Sequence, residues 1–154
     1  EKQGGTPMRL TTRSRYGTRM VMDIAKNEHK GPVRIQDTAR RQEVSVKYLE
    51  VLIRELRMAG YIKSLRGPRG GHLLNVAPEG ITLLNIVEVL EGDVHLVDCE
   101  KKPYLCGQYP VCVTRCIWRD LGQTIRNKLT SITIKDLLMM EESAPPDAES
   151  MCLS

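Results

Sequence analysis

Three amphipathic helical patterns, followed by two short β-rich runs around a glycine-rich turn, predict a mainly α-helical fold with a small β-hairpin wing. Helix, turn, helix and hairpin is the order of a winged helix-turn-helix. A further apolar repeat near the carboxyl end predicts that a long helix follows this unit. The chain of 154 residues can bury a core, so we expect one compact domain with an appendage.

Apolar side chains recur at helical spacing in two segments near the amino end. The first predicts a helix from about Arg13 to Asn27, closed by Gly31 and Pro32, with its arginines facing solvent. The second predicts a short helix ending at Arg40 and Arg41, where cations suit the helix dipole, and then a tight turn over residues 42–44. The repeating positions are Tyr16, Met20 and Ile24 in the first helix, and Ile35, Thr38 and Ala39 in the second.

The third helix has the clearest pattern of the chain. Ser45 is suited to cap its start and Gly60 to end it. Two β-rich runs, Tyr61–Leu65 and His72–Val76, follow it and are joined by a turn of residues 66–71. The apolar face of this helix is predicted to hold Leu49, Leu52, Ile53 and Leu56, and the other face Lys47, Tyr48, Glu50, Arg54 and Arg57.

The carboxyl half contains two further helical patterns separated by an irregular segment. Thr82 is expected to cap a helix that Gly92 ends. Asp98 to about Cys116 has no amphipathic period, which predicts a long loop organised by a function or a bound group. A long helix over about Ile117–Thr130 and a short final helix follow. The predicted units are 8–80 (winged helix-turn-helix), 81–97 (connecting helix), 98–116 (cysteine-rich loop), 117–140 (long helix and short helix) and 141–154 (disordered tail).

The amino end and the hydropathy bear on location. Residues 1–7 are small and polar, and we interpret them as a remnant added before a natural start at Met8. No stretch approaches the roughly 20 consecutive apolar residues of a membrane helix, and the amino end lacks the apolar run of a signal peptide. We therefore expect a cytoplasmic protein, in which clustered cysteines are more often metal ligands or redox sensors than structural disulfides.

Charge is divided unevenly along the chain. Residues 8–72 hold 15 Lys and Arg against 6 Asp and Glu, whereas residues 73–154 hold 7 against 12. The basic half has the composition of a surface that binds a polyanion, with an evenly solvated surface as the alternative. Together with the helix-turn-helix order, this balance favours double-stranded DNA as the partner of residues 8–80.

The third helix and the hairpin tip hold the candidate DNA-binding residues. Residues around the start of such a helix reach base edges in the major groove. Glu50 can accept a hydrogen bond from cytosine, or pair with Arg54 at i+4. Arg66 and Arg69 flank Gly67 at the hairpin tip, which suits a narrow minor groove, although a solvated turn also explains an arginine. The candidates at the helix start are Ser45, Lys47, Tyr48 and Glu50.

Four cysteines lie within eighteen residues, separated by six, five and three residues: Cys99, Cys106, Cys112 and Cys116. Structural zinc sites use pairs separated by 2 to 4 residues, and only the last gap matches. Iron–sulfur clusters tolerate looser spacing, so we favour a 2Fe–2S or 4Fe–4S cluster. A zinc clip, a thiol–disulfide switch and cysteines without a ligand role are the alternatives. His95 is a possible extra ligand, although a lone histidine at a helix end is more often a surface residue, and Cys152 is expected to be incidental.

The chain resembles the Rrf2 family of bacterial winged-helix transcription regulators, most closely its iron–sulfur cluster branch, over about residues 8–140. The resemblance implies a homodimeric repressor or activator of partly palindromic operator DNA. It also implies that the long helix, about Ile117–Thr130, packs against its partner. The segments that carry the resemblance are Met8–Thr11 through Tyr16–Gly17, Ser45–Glu50, Arg66–Gly71 and Trp118–Leu121.

The resemblance also implies a set of cluster ligands. The family's three ligand cysteines fall on Cys99, Cys106 and Cys112. Where the iron–sulfur branch has a histidine as fourth ligand, this chain has Arg115, and the position from which nitric-oxide-sensing relatives draw an acidic ligand looks like Arg15.

Cys116 is therefore our candidate for the fourth ligand, with a buried small apolar role as the alternative. The implied function is a sensor of iron–sulfur status, redox or nitric oxide. A regulator without a cluster, controlled by a protein partner or by thiol oxidation, is the alternative. An enzyme or electron carrier is not expected, because no Cys-x-x-Cys dithiol or dinucleotide fingerprint is present.

Overall fold

The computed structural model describes residues 10–100 and 102–144, and within them it has six α-helices and one antiparallel two-stranded sheet. The predicted mainly helical fold with a hairpin wing is confirmed. The expectations for residues 1–7, for the tail beyond Ala144 and for Cys152 lie outside the described residues. The elements are α1 (Thr12–Asn27), α2 (Ile35–Gln42), α3 (Val46–Met58), β1 (Ile62–Leu65), β2 (Gly71–Leu74), α4 (Leu83–Glu91), α5 (Thr114–Thr130) and α6 (Ile134–Ser143).

One apolar core joins α1, α2, α3 and the hairpin to α4 and α6. The predicted apolar face of α3 lies at its centre, because Leu49, Leu52 and Leu56 are all 0% exposed. Met20 of α1 and Ile134 of α6 belong to the same core. Burial of each such side chain contributes about 1.5–3 kcal/mol. The core therefore holds α3 firmly by one face and leaves its polar face outwards.

The ends of the helices follow the predicted local signals. Ser45 Oγ accepts a hydrogen bond from the Tyr48 amide at 3.2 Å at the start of α3. Thr82 and Asn85 form a reciprocal capping box at the start of α4. Between α2 and α3, Glu43 adopts a left-handed conformation with φ of +54°. This residue reverses the chain within the predicted tight turn and so sets the direction of α3.

We call the hairpin of residues 62–74 the wing. A third backbone segment supports it. β1 and β2 pair in antiparallel register, with Ile62 opposite Leu74. Val33, just before α2, exchanges two backbone hydrogen bonds with His72, at 2.9 and 2.8 Å. A Cβ atom at Gly71 would lie 2.6 Å from the Val33 carbonyl oxygen, so this close approach requires glycine. The wing is thereby tied to α2 as well as to α3.

Three predictions at element boundaries are wrong in detail. α5 begins at Thr114 rather than near Ile117, so Cys116 lies in its first turn. β2 runs over Gly71–Leu74 rather than His72–Val76, because its pairing with β1 begins at Gly71. Residues 141–143, predicted to be disordered, form the last turn of α6, which an ion pair of 2.7 Å between Lys26 and Glu141 ties to α1.

A second apolar cluster joins α4 to the carboxyl-terminal part of α5 and does not extend to the start of α5. Val87 of α4 and Leu129 of α5 belong to this cluster. Towards the start of α5, Ile117, Trp118 and Leu121 are 57%, 42% and 44% exposed. We call these three side chains the α5 apolar stripe. Among the described residues, no helix has the length and apolar content needed to cross a membrane.

Candidate nucleic-acid interface and cysteine segment

The start of α3 presents a polar surface that the rest of the fold does not use. Lys47 and Glu50 are exposed, and within residues 10–100 and 102–144 neither side chain forms an ion pair or a hydrogen bond. The alternative pairing of Glu50 with Arg54 is not formed. The Ser45 hydroxyl accepts the Tyr48 amide and keeps its own proton to donate. Three candidates are therefore free to contact a ligand.

Tyr48, the fourth candidate on α3, lies partly buried between α1 and α3. Its ring meets the Tyr16 ring edge-on, with centroids 6.1 Å apart and an interplanar angle of 87°. Its hydroxyl lies 3.3 Å from Thr12 Oγ1 at the surface. The ring therefore packs α3 on α1, and only the hydroxyl can reach a ligand.

The wing tip presents two arginines on a braced turn. Arg66 and Arg69 are exposed, and neither forms an ion pair or a side-chain hydrogen bond in the described part of the chain. Gly67 has φ of +107°, a conformation that favours glycine. Arg34, just before α2, donates to the Pro68 carbonyl oxygen at 2.7 Å. The turn is thus held while its guanidinium groups stay available.

The sequence predicted that the arginines of α1 face solvent, but Arg13 and Arg19 are bonded to neighbouring helices. Arg13 Nη2 donates to both carboxylate oxygens of Glu55 in α3, at 2.7 and 2.6 Å, and Arg13 Nε donates to the Leu90 carbonyl oxygen at 2.9 Å. The hydrogen bond with Glu55 raises the pKa of Arg13. Arg19 donates to Gln42 Oε1 at 2.8 Å. Both arginines join helices, because the packing of α1 on α3 and α2 brings acceptors within reach.

The end of α4 is fastened to the start of α1. Glu91 Oε1 accepts hydrogen bonds from Thr11 Oγ1 at 2.6 Å, the Thr11 amide at 3.0 Å and the Ser14 amide at 3.1 Å. Burial raises the pKa of Glu91, but these hydrogen bonds outweigh it and hold the pKa below its usual value. The end of α4 is also connected to α3, because Arg13 bonds both to Leu90 and to α3. The cysteine segment therefore follows a helix end that is held in place.

A buried carboxylate joins α1 to α2. Asp23 is 3% exposed, and Arg41 binds both of its oxygens at 2.7 Å. Thr38 Oγ1 donates to the same carboxylate at 2.8 Å. Burial raises the pKa of Asp23, yet the hydrogen bonds from Arg41 and Thr38 hold it below its usual value. Arg41 therefore pairs with a specific carboxylate, in addition to its predicted favourable interaction with the dipole of α2.

The four cysteines lie along short 3₁₀ turns and the first turn of α5. All four are free thiols, and Cys116 is exposed, which contradicts its alternative role as a buried apolar residue. The early start of α5 turns it outwards. In the described part of the chain, no three His, Cys, Asp or Glu side chains lie close enough together to hold one metal ion. Thiols are suitable donors for an iron–sulfur core, but this arrangement does not gather them.

Arg115 anchors the cysteine segment (residues 98–113) to the start of α5. Its Nη1 donates to the Tyr109 carbonyl oxygen at 2.7 Å, and its guanidinium lies 4.3 Å from the centre of the Tyr109 ring. Nearby, Cys112 Sγ lies 3.3 Å from Thr114 Oγ1, and this hydrogen bond lowers the pKa of the Cys112 thiol. Arg115 therefore positions the segment and cannot donate an electron pair to a metal.

His95 lies beside the cysteine segment and is 5% exposed, although a surface position was expected. It is buried because the chain after α4 turns back, so that Val94 joins the cluster between α4 and α5. Its Nδ1 lies 3.1 Å from the Asp93 carbonyl oxygen. Its Nε2 has no hydrogen-bond partner in the described structure and lies 3.6 Å from Asp98 Oδ1.

Sequence reasoning missed the residues that connect these regions, chiefly Arg34, Glu55 and Glu91. Each acts on a residue more than thirty positions away in sequence, so helical spacing does not reveal its partner. A weak signal exists for Glu55, which is one of two acidic side chains in a helix that also carries three cations.

Comparison with known proteins gives a consistent result. Residues 10–140 match the Rrf2 family, described as iron-dependent transcriptional regulators. Protein rrf2 of Nitratidesulfovibrio vulgaris (strain Hildenborough) is 45% identical over 141 residues, which cover 92% of this chain and 94% of that protein.

Two solved structures share the fold. IscR of T. potens superimposes with a TM-score of 0.71 at 32% identity, covering 93% of this chain and 96% of that one. CymR of B. subtilis, described as the global cysteine regulator, superimposes with a TM-score of 0.69 at 31% identity, covering 86% and 97%.

Proposed function

The chain belongs to the Rrf2 family of transcriptional regulators, and we propose that it represses or activates transcription by binding double-stranded operator DNA under the control of its cysteine segment. Its relatives are regulators and not enzymes. Two features together carry the proposal. Charged side chains at the start of α3 and two arginines at the wing tip are exposed and have no ion pair or side-chain hydrogen bond within the described residues. The proposed DNA-binding role places the protein in the cytoplasm of a bacterium.

In the proposed complex, α3 enters the major groove and the wing enters the neighbouring minor groove. Lys47 and Glu50 read base edges, and the Ser45 and Tyr48 hydroxyls contact base or backbone acceptors. Arg66, Gly67 and Arg69 enter the minor groove, where guanidinium groups favour a narrow, electronegative floor. Within the described residues, four of the charged side chains have no ion pair or side-chain hydrogen bond, which supports this assignment: Lys47, Glu50, Arg66 and Arg69.

A second copy of the chain is the proposed partner of the α5 apolar stripe. A largely apolar groove between α1, α4, α5 and α6 lies near the same helix and has a volume of about 360 Å³. Leu10, Leu83 and Leu137 are among its lining residues. Exposed apolar surfaces of this kind mark protein interfaces. A homodimer would place two copies of α3 on half-sites about 34 Å apart, and so fits a partly palindromic operator.

The proposed sensor is an iron–sulfur cluster on Cys99, Cys106, Cys112 and Cys116. The four free thiols within eighteen residues, none of them buried, and the likeness to IscR support it. The segment has to rearrange to gather them. When bound, the cluster would supply a centre sensitive to iron supply, oxidants or nitric oxide. The likeness to CymR and the lowered pKa of Cys112 favour a second candidate, a regulator without a cluster that responds to thiol oxidation or a protein partner.

One experiment tests the function and separates the two sensors. A duplex is selected in vitro from random sequence by the full chain. Its affinity is then measured by fluorescence anisotropy for anaerobic protein reconstituted with iron and sulfide and for metal-free protein with reduced or oxidised thiols. We expect specific binding that Glu50→Ala makes less selective and that changes on cluster loading. No selected duplex would overturn the function, and no bound iron or sulfide, with binding that follows thiol oxidation, would favour the second candidate.

A further inference from the structure

A basic groove lies between α3 and the wing. It has a volume of about 480 Å³ and an opening towards solvent. Its floor contains Val51 and Ile53 of α3. Its polar lining consists of Lys47, Glu50, Arg54, Arg57 and His72. Three cations therefore face one carboxylate in a concave surface of modest size.

The cations lie on one face of α3. Lys47, Arg54 and Arg57 share this face with Glu50, because positions separated by three, seven and ten residues point in the same direction along an α-helix. Arg54 and Arg57 are exposed, and the described residues provide neither with an ion pair or a side-chain hydrogen bond. Their charge is therefore not neutralised within the described structure, even though Glu50 lines the same groove.

The opposite wall of the groove is held by hydrogen bonds to neighbouring segments. His72 is held by its two backbone hydrogen bonds with Val33, and its Nδ1 lies 3.0 Å from Ser64 Oγ. The Tyr61 amide donates to the Leu56 carbonyl oxygen at 3.0 Å, which joins α3 directly to β1. Burial, followed by the charge of Arg57, lowers the pKa of His72 and so disfavours its charged form. The positive charge of the groove comes from α3.

We propose that this groove seats the sugar–phosphate strand of bound DNA, with Arg54 and Arg57 contacting its phosphates. A duplex that receives α3 in the major groove and the wing in the adjacent minor groove has one backbone strand between those two grooves. That strand has to cross the surface between α3 and the wing, where the structure has a preformed basic groove. The inference rests on the proposed function and adds two phosphate-binding residues to it.

The first test measures the dependence of binding on salt. The full chain and its Arg54→Gln and Arg57→Gln variants are titrated with the selected duplex and with an unrelated duplex over a series of KCl concentrations. Each lost phosphate contact should reduce the slope of log K against log salt by about 0.9 and weaken both duplexes by the same factor. Arg54→Lys should restore the slope at that position. Lys135→Gln removes an equal charge from the exposed surface of α6 and should leave the slope unchanged.

The second test locates the phosphates. Neutral methylphosphonates replace single phosphates of the selected duplex across the boundary between the major-groove and minor-groove contacts. Wild-type protein should lose affinity at one or two of these positions, and the Arg54 and Arg57 variants should be insensitive there. Slopes and methylphosphonate sensitivities equal to those of the wild type, in variants whose thermal unfolding shows them folded, would overturn the groove assignment. Failure of the wild-type chain to bind any duplex would overturn the proposed function itself.

Discussion

The unit formed by α3 and the wing is built in the opposite way to the cysteine segment. α3 buries three leucines completely. Its outward-facing charged side chains have no ion pair or hydrogen bond within the described residues: Lys47, Glu50, Arg54 and Arg57. The cysteine segment has Tyr104, Val111 and Val113 exposed by 79%, 74% and 81%, and among its anchors is a single arginine from α5. A surface that reads a rigid partner benefits from a scaffold that does not move, whereas a segment that changes with its chemical state needs few buried contacts. The firmly packed scaffold and the loosely held segment thus occupy different stretches of one chain.

The largest expected effect tests this contrast by shortening one apolar side chain in each region. Leu52→Ala in α3 should lower the free energy of unfolding by about 2–5 kcal/mol, because it leaves a cavity in a fully packed core. Val111→Ala in the cysteine segment should change it by less than about 0.5 kcal/mol. Urea unfolding followed by circular dichroism measures both. Equal losses would show that the segment is part of the cooperative core.

A smaller effect is expected at the buried carboxylate that supports α2. Asp23→Asn should cost about 2–3 kcal/mol at pH 7, less than for a fully buried pair because the Arg41 side chain is 41% exposed. Since the folded pKa of Asp23 is lowered, its contribution is present above the unfolded pKa of about 3.9 and is lost as pH falls through the folded value. The difference in urea midpoint between the two proteins should therefore stay constant from pH 7 to about pH 5 and shrink as the pH falls below about 4.

Asp120→Asn, on the exposed surface of α5, is the matched control and should follow the wild-type pH profile. A constant difference between Asp23→Asn and wild type down to pH 3 would mean that the charge of Asp23 does not stabilise the fold.

A small change in stability is also expected where the cysteine segment is anchored. Arg115→Ala should lower the free energy of unfolding by less than about 1 kcal/mol, because the Arg115 to Tyr109 contact is partly exposed. The same change should release the segment and speed alkylation of Cys106 and Cys112, measured by mass spectrometry after timed labelling of metal-free protein. Arg119→Ala, one turn further along α5, is the control. Identical labelling in both variants would remove Arg115 from its anchoring role.

Local signals predicted most of the fold. Ser45 and Thr82 cap helices as their positions suggest, and the apolar repeat of α3 is buried throughout. The predictions are wrong where contacts between residues distant in sequence determine the structure. The last turn of α6 lies beside α1, where Lys26 pairs with Glu141, and His95 is buried because the chain after α4 folds back.

The candidate site was predictable only in its residue types. The polar face of α3 follows from helical spacing, because any helix that buries Leu49 and Leu56 has to turn Lys47 outwards. That Arg13 is occupied by Glu55 while Arg54 is free depends on how helices pack, and spacing contains no such information. For the cysteines, sequence gives donor number and separation, whereas their approach depends on turns without a regular period.

The glycines of the wing have a consequence for how the sequence can drift over generations. A Cβ at Gly70 would clash with the Leu65 carbonyl oxygen, and one at Gly71 would lie 2.6 Å from that of Val33. Selection for folding alone therefore preserves both glycines, whichever operator the protein reads. Arg66 and Arg69, which the described fold does not need, are free to change. Under the proposed function, the DNA contacts of the wing tip can therefore change without loss of the wing.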